Sequence, residues 1–321
     1  MQHHFKNGEI ELLFPSPEGE PVSDIVEYIT FGEGKRDLCV IPGISDGLRT
    51  VEGLALPFSL AYHRYAKDFR VFAVSRRRHI PEGYTIREMA RDVLAAMDAL
   101  GIGDTRGIGD TRGIGANSPA DILGVSQGGM IAQELALAAP ERVRRLVLAV
   151  TMPRPNDTVR DVLGRWIEMA EAGDTVSLMT DTAERTFTGK HVNAFRTAYA
   201  IYGRLNEKIP GGVQGTERFI REAKACLGHD AWDRLPSLAV PTLVLGGSED
   251  AIVSGEASRE LASRIPGALL HMFEGYSHGA FEQAADFHEW ILDFFTAPDE
   301  SVRNMLKFRG PGEDKTPFPF S

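Results

Sequence analysis

Apolar runs a few residues long alternate with longer amphipathic stretches over most of this chain. The stretch from Thr85 to Leu100 places its apolar residues at helical spacing, and Thr85 with Glu88 makes a capping box at its start. A second helical stretch, 51–67, should be kinked or divided at Pro57. Because strands that alternate with helices form parallel sheets covered on both faces, the pattern predicts an α/β fold with a mostly parallel sheet. The eight predicted strands are 9–14, 24–31, 38–41, 69–74, 122–125, 143–150, 242–245 and 269–273.

The strand pattern is interrupted once, after the sixth predicted strand. Only helical patterns follow, and they cover 158–172, 175–187, 192–205 and 216–227. We therefore expect a helical cap inserted into an α/β core. The expected division is a core domain formed by 1–152 and 236–297, a cap at 153–235, and a polar tail at 298–321.

A pentapeptide with a serine at its centre stands between a predicted strand and a predicted helix. Its sequence is Gly124-Val125-Ser126-Gln127-Gly128. In this context G-x-S-x-G predicts a nucleophile elbow, a turn so tight that the serine backbone is strained and its hydroxyl stands clear of the sheet. The small residues Gly124 and Gly128 let the strand and the helix approach each other without a Cβ clash.

A serine hydroxyl is a weak nucleophile until a base takes its proton and a third group orients the base. After the strand at 242–245 a glycine turn carries Asp250, and after the strand at 269–273 a loop carries His278. The order serine, acid, histidine is the one that this motif requires. We therefore predict a catalytic triad of Ser126, Asp250 and His278.

These segments resemble the α/β-hydrolase superfamily, in particular its serine hydrolase branch with a helical cap after the sixth strand. The resemblance covers about residues 20–297 and is clearest in two stretches, G-V-S-Q-G-G-M-I-A-Q from Gly124 and P-E-R-V-R-R-L-V-L from Pro140. It implies an α/β-hydrolase fold with Ser126 as the nucleophile, His278 as the base and Asp250 as the residue that orients the base. Serine at the elbow argues against the branches that use an aspartate nucleophile.

The family also implies an oxyanion hole made of two backbone N–H groups. One is that of Gln127, at a helix N-terminus where the helix dipole favours an anion. Alignment on Pro42-Gly43 assigns the other to Ile44. The family usually has histidine where this chain has Pro42, so we expect the hole to persist with altered support. Ser45, just beyond, could contact substrate or simply turn the loop.

Aromatic residues in the predicted cap are candidates for contact with substrate. We expect only one or two of them to touch it, with Trp166 and Tyr199 as the first candidates, because most cap aromatics hold helices together. The aromatic content of the predicted cap favours a small to medium acyl substrate in a largely apolar pocket. The other candidates are Phe187, Phe195, Tyr202 and Phe219.

Charge narrows the choice of partners. The formal net charge of −10 argues against nucleic acid and anionic membranes. A short basic run, Arg76-Arg77-Arg78-His79, is typical of a solvated loop or an ion-pair site rather than of a site for an acidic substrate. The histidines are scattered, so we expect no metal and no cofactor. The chain is expected to act as a monomer or a homodimer.

The two cysteines, Cys39 and Cys226, lie in predicted buried segments and are interpreted as small hydrophobic residues rather than as a disulfide. The first residues lack the apolar stretch of a signal peptide, and no window has the ~18 apolar residues of a membrane span. A cytoplasmic location is therefore expected.

A hexapeptide, Gly-Ile-Gly-Asp-Thr-Arg, occurs at 101–106 and again at 107–112. Two full copies are too few to build a repeat architecture with its own core. We interpret the segment as a tandem duplication in a surface loop, which costs little closure entropy, and assign it no function.

The features together predict an enzyme, an esterase-type hydrolase of carboxylic esters, thioesters or lactones that forms an acyl-enzyme. An acyltransferase or a C–C bond hydrolase would use the same triad. From a different class, a non-catalytic ligand receptor could be built on the same fold.

Overall fold

The computed structural model describes residues 5–15, 19–44, 50–103, 118–189, 192–207 and 212–302. Within these ranges eight strands form one sheet. The strands are β1 (Phe5–Phe14), β2 (Val22–Phe31), β3 (Arg36–Ile41), β4 (Phe69–Arg77), β5 (Ala120–Val125), β6 (Val143–Ala149), β7 (Thr242–Gly247) and β8 (Leu269–Phe273). They are ordered β1-β2-β4-β3-β5-β6-β7-β8, with β2 antiparallel to both of its neighbours and all other pairs parallel.

The helices of the described ranges alternate with the strands after β3. They are α1 (Ala55–Ala61), α2 (Ile86–Leu100), α3 (Gln127–Ala138), α4 (Asp157–Glu171), α5 (Thr175–Thr186), α6 (Val192–Glu207), α7 (Gly212–Leu227), α8 (Gly255–Arg264), α9 (Ala280–Gln283) and α10 (Phe287–Thr296). No helix in the described part of the chain is both long and apolar enough to cross a membrane.

The sheet is buried on both faces because successive strand residues point in opposite directions. In β3, Cys39 and Ile41 join a cluster with residues of α2, α3 and α8, whereas Leu38 and Val40 join a cluster with residues of α1 and α10. All four side chains are fully buried. The prediction of a mostly parallel, eight-stranded sheet with helices on both faces is therefore confirmed.

Most elements differ by a few residues from their predicted bounds, and two of these differences have a clear physical reason. β4 runs on to Arg77, three residues past its predicted end, because its pairing with β2 continues to Val26. The predicted kink at Pro57 is wrong: α1 begins at Ala55, so Pro57 falls in the first turn, where a missing N–H costs no hydrogen bond. α2 starts as expected, with both hydrogen bonds of the Thr85–Glu88 capping box.

Four consecutive helices, α4 to α7, lie between β6 and β7, where the sequence predicts the cap. We call this segment the helical insertion. Its division from the core at 153 and 235 stays a prediction. Residues 104–117, which include most of the duplicated hexapeptide, and the tail beyond 302 lie outside the described residues.

Candidate active site

Ser126 stands at the turn between β5 and α3 with φ 54° and ψ −120°. A positive φ is unfavourable for a residue with a side chain, by on the order of 1–3 kcal/mol, and is found mainly where the surroundings enforce it. Here close packing enforces it. A Cβ at Gly128 would stand 1.9 Å from the Ile41 carbonyl oxygen, and one at Gly124 would stand 2.4 Å from the Gly128 oxygen. Only glycine fits either position, as the sequence motif predicts.

The end of β6 braces this turn. Ser126 donates its N–H to the Ala149 carbonyl at 2.8 Å, and its own carbonyl accepts the Thr151 hydroxyl at 2.7 Å. Val150, which lies between Ala149 and Thr151, has φ 44°, an unusual value for a β-branched residue. Nothing in the sequence pattern singles out Thr151, because its role depends on the position of β6 beside β5.

The three predicted triad residues meet at the carboxyl ends of their strands. Ser126 Oγ lies 3.0 Å from His278 Nε2, and His278 Nδ1 lies 2.8 Å from Asp250 Oδ2. Because a carboxylate can only accept, Nδ1 carries the ring proton and Nε2 is free to accept the serine proton. Asp250 and His278 are buried, whereas Ser126 keeps partial access to solvent.

The predicted oxyanion donors belong to two segments next to the serine. Gln127 is the first residue of α3, so its N–H belongs to the unpaired first turn of that helix. Ile44 follows Gly43, and Gly43 packs so closely on Ser126 that a Cβ there would stand 3.2 Å from the serine Cβ. Ser45 lies outside the described residues, and its contact with substrate stays a prediction.

The loop that carries His278 is hydrogen-bonded to the end of α5 in the helical insertion. Gly279 N–H donates to the Thr186 carbonyl at 2.6 Å. The Gln283 side chain pairs with the Thr188 backbone twice, accepting its N–H at 3.1 Å and donating to its carbonyl at 3.0 Å. The Ser277 hydroxyl also donates to the insertion. Sequence reasoning missed these contacts, because they join segments that are about 90 residues apart.

The aromatic candidates differ in their surroundings. Trp166 is buried, and its indole N–H donates to Asp181 at 2.7 Å, which accounts for it as a packing residue between α4 and α5. Tyr199 is half-buried, with its ring 5.8 Å from that of Phe187. Burial raises the pKa of the Tyr199 phenol, and the nearby Glu282 carboxylate raises it further. Contact of either residue with substrate stays a prediction.

The basic run does not form a solvated loop. Arg76 and Arg77 are buried at the end of β4, and each forms an ion pair, Arg76 with Glu222 and Arg77 with Asp92. Arg78 is more exposed and forms an ion pair with Glu27. The ion-pair interpretation of this run is therefore the right one.

Two curated relatives are similar to part of this chain. A pimeloyl-(acyl-carrier protein) methyl ester esterase of Neisseria meningitidis serogroup A is 29% identical over 199 residues, which cover 55% of this chain and 59% of the relative. A 2-hydroxymuconate semialdehyde hydrolase of Pseudomonas sp. strain CF600 is 31% identical over 196 residues, covering 57% of this chain and 64% of the relative. The chain thus matches less than two thirds of either relative.

Solved structures resemble the whole fold. An α/β hydrolase from a Medee basin deep-sea metagenome library superposes with a TM-score of 0.71 at 20% identity, covering 90% of this chain and 98% of the other. At this identity the likeness concerns the fold alone. The model of the α/β hydrolase family matches residues 41–290, a range that includes β5, the serine turn, the Asp250 turn and the His278 loop. The chain belongs to the α/β hydrolase family.

Proposed function

We propose that this chain is an esterase-type serine hydrolase in which Ser126 is the nucleophile, His278 the general base and acid, and Asp250 the residue that orients the histidine. The observation that carries the proposal is the continuous path of hydrogen bonds from Ser126 Oγ through the ring of His278 to Asp250, with distances of 3.0 and 2.8 Å. Both lengths lie within the hydrogen-bonding reach that nucleophilic catalysis requires of a nucleophile, its base and the group that orients the base.

In the first half of the reaction, Ser126 Oγ attacks the substrate carbonyl carbon while His278 Nε2 takes the hydroxyl proton. The carbonyl oxygen becomes an oxyanion that accepts hydrogen bonds from the N–H groups of Ile44 and Gln127. Collapse of this intermediate breaks the ester bond, and the imidazolium gives its proton to the leaving alkoxide. The products are an alcohol and an acyl group bound to Ser126.

In the second half, water replaces the serine as the nucleophile. His278 takes a proton from the water, the hydroxide adds to the acyl carbon, and the carboxylic acid leaves as the proton returns to Ser126. The same oxyanion donors act in both halves, and removal of one such donor typically costs about 10²–10³ in rate. Each step needs only groups of this chain and water.

The helical insertion is proposed to cap the site and to shape the substrate pocket. This part of the proposal is supported by the hydrogen bonds between the His278 loop and the end of α5, which bring Phe187 within contact distance of Gly279. Aromatic side chains so near the base favour an apolar acyl group. The name of the first relative, a methyl ester esterase, supports an ester as the scissile group.

A C–C bond hydrolase is the second candidate, because the other relative is a 2-hydroxymuconate semialdehyde hydrolase at 31% identity. Both reactions need the same three side chains, so the two candidates differ in substrate rather than in triad geometry. An acyltransferase would differ only in passing the acyl group to an alcohol instead of water. Product analysis by mass spectrometry, with and without an added alcohol, separates these outcomes.

The test is labelling with a fluorophosphonate probe, alongside turnover of p-nitrophenyl esters of increasing acyl length. We expect the wild type and a Ser263→Ala control, which changes an exposed serine, to label and to hydrolyse esters. Ser126→Ala should not label and should lose nearly all turnover, because the variant lacks the hydroxyl that attacks the probe and the ester carbonyl. A folded wild type that neither labels nor turns over esters or C–C substrates would favour the ligand receptor.

A further inference from the structure

A buried arginine lies directly behind the proposed oxyanion hole. Arg76, near the end of β4, is fully buried, and its guanidinium donates to the carbonyl oxygens of Pro42 at 2.7 Å and Gly43 at 3.2 Å. It also donates to the side-chain oxygen of Gln127. One side chain therefore contacts the segments that carry both proposed oxyanion donors. We propose that Arg76 is the positioning residue of the oxyanion hole, an inference that rests on the proposed function.

The contact with Gly43 bears on the first donor because of peptide geometry. The Gly43 carbonyl and the Ile44 N–H belong to the same planar peptide unit, in which the two groups point in opposite directions. A guanidinium that holds the carbonyl on one side fixes the direction of the N–H on the other. It also polarises the unit, which strengthens the N–H as a donor to a developing negative charge. Arg76 thus acts on the oxyanion through Ile44.

The contact with Gln127 bears on the second donor. The Gln127 side chain is buried and is held at both ends: its oxygen accepts from Arg76, and its nitrogen donates to the Glu222 carbonyl at 3.2 Å and to Cys226 Sγ at 3.2 Å. Because the side chain cannot turn, the backbone of the first residue of α3 is fixed with it. The same arginine therefore anchors both halves of the hole.

The network also joins the hole to the helical insertion. Glu222, on α7, is completely buried and lies 3.9 Å from Arg76 Nε and 3.3 Å from Arg218 of the same helix. Arg218 in turn donates to the backbone carbonyls of Arg77 and Arg78, the two residues that follow Arg76. Helix α7 of the insertion thereby supplies Glu222, the negative charge that is paired with Arg76.

This arrangement also accounts for the support of the turn after β3, which contains Pro42. Proline offers no side-chain donor, so the carbonyls of Pro42 and Gly43 need a donor from another strand. β4 supplies it because it pairs with β3 directly. The three acceptors share the two N–H groups of Arg76 Nη2, while Nε of the same guanidinium faces Glu222. One planar group thus spans the hole and its counter-charge, whereas a lysine ammonium offers a single compact charge.

The experiment compares Arg76→Met and Arg76→Lys with a matched control, Arg77→Met. Arg77 is the adjacent buried arginine, but its guanidinium contacts Asp92, Phe14 and Tyr84 rather than the site. We expect Arg76→Met to lower kcat about 10- to 100-fold with KM changed less than about threefold, because oxyanion donors act on the transition state rather than on bound substrate. Arg76→Lys should fall between Arg76→Met and the wild type. Arg77→Met should keep kcat within about twofold, even if its unfolding temperature drops.

A second readout is the affinity for phenylboronic acid, whose tetrahedral adduct with the serine needs the oxyanion donors. It should weaken with kcat in both Arg76 variants and stay unchanged in Arg77→Met. If Arg76→Met does not fold, Arg76→Lys carries both measurements. Equal kcat and boronate affinity in the Arg76 variants and the Arg77 control would overturn the positioning role while leaving the hydrolase intact. A wild type without labelling or turnover would overturn both.

Discussion

At the scale of single residues, Asp250 divides its two carboxylate oxygens between two tasks. Oδ1 accepts the backbone N–H groups of Ile252 and Val253, each at 2.9 Å, and Oδ2 faces His278. The first pair of bonds stops the side chain from rotating. The second bond can therefore hold the imidazole in one orientation and one tautomer.

We predict that Asp250→Asn lowers kcat about 10³- to 10⁴-fold without loss of the fold. The amide oxygen can keep the bonds to the Ile252 and Val253 N–H groups, so its NH₂ group would face His278. The ring would then carry its proton on Nε2, where it cannot accept from Ser126. Steady-state kinetics, with circular dichroism as the check on folding, test this. A kcat within tenfold of the wild type would contradict the orienting role.

The sequence alone was enough to predict which side chains meet at the carboxyl end of the sheet, because each of them follows a strand. Ser126, Asp250 and His278 each come just after a predicted strand, and parallel strands bring such ends together. Arg76 could not be found in this way. Its contact with Pro42 requires β4 to extend past residue 74 and to lie beside β3, and neither the length of a strand nor the order of strands is written in local periodicity.

At the scale of elements, the sequence predicted the positions of the helices in the helical insertion but not how those helices pack together. The bounds of α4 and α5 fall within one residue of the predicted ones, because both helices carry strong apolar periodicity. The pattern gives no sign that Trp166 of α4 reaches Asp181 of α5. A buried aromatic and a substrate contact look alike in sequence, since both require an apolar position.

We predict that Trp166→Phe lowers the free energy of unfolding by about 1 kcal/mol, the typical value of one hydrogen bond, and leaves KM within about twofold. Phenylalanine keeps much of the apolar contact with Phe219 but has no N–H for Asp181. Urea unfolding and ester kinetics on the same samples are the measurements. If KM rose tenfold at unchanged stability, Trp166 would belong to the substrate pocket after all.

At the scale of the whole molecule, the end of the sheet opposite the proposed site holds a buried charge cluster. Asp121, in β5, has no exposed side-chain surface and accepts a hydrogen bond at 2.6 Å from Arg144 of β6. Burial raises the pKa of Asp121 from 3.8 to about 6, although Arg144 acts in the opposite direction. One end of β5 thus carries a buried ion pair, and the other leads into the turn of the proposed nucleophile.

This pKa has a definite consequence for stability. Between pH 3.8 and about 6 the folded chain holds more protons at Asp121 than the unfolded chain does, so this group's contribution to stability is full below that window and is lost as the pH rises through it. Asp121→Asn cannot titrate. We therefore predict that its unfolding free energy, relative to the wild type, increases by up to about 3 kcal/mol between pH 4 and pH 7.

Urea unfolding of both proteins at several pH values in that range measures the difference directly. Taking the difference removes the titration of groups that both proteins share, such as His229 and His288, whose pKa values burial lowers to about 4. A difference that is independent of pH would mean that Asp121 titrates alike in the folded and unfolded chains.

The hydrogen bonds between the His278 loop and the end of α5 make the proposed base and the helical insertion one mechanical unit. The insertion cannot swing away as a lid at this edge without drawing the histidine off the serine. The same bonds limit recombination between relatives in protein engineering. A chimera that exchanges the insertion alone would separate the Thr186 and Thr188 backbones from their partners, so the segment to be inherited with it is 277–283.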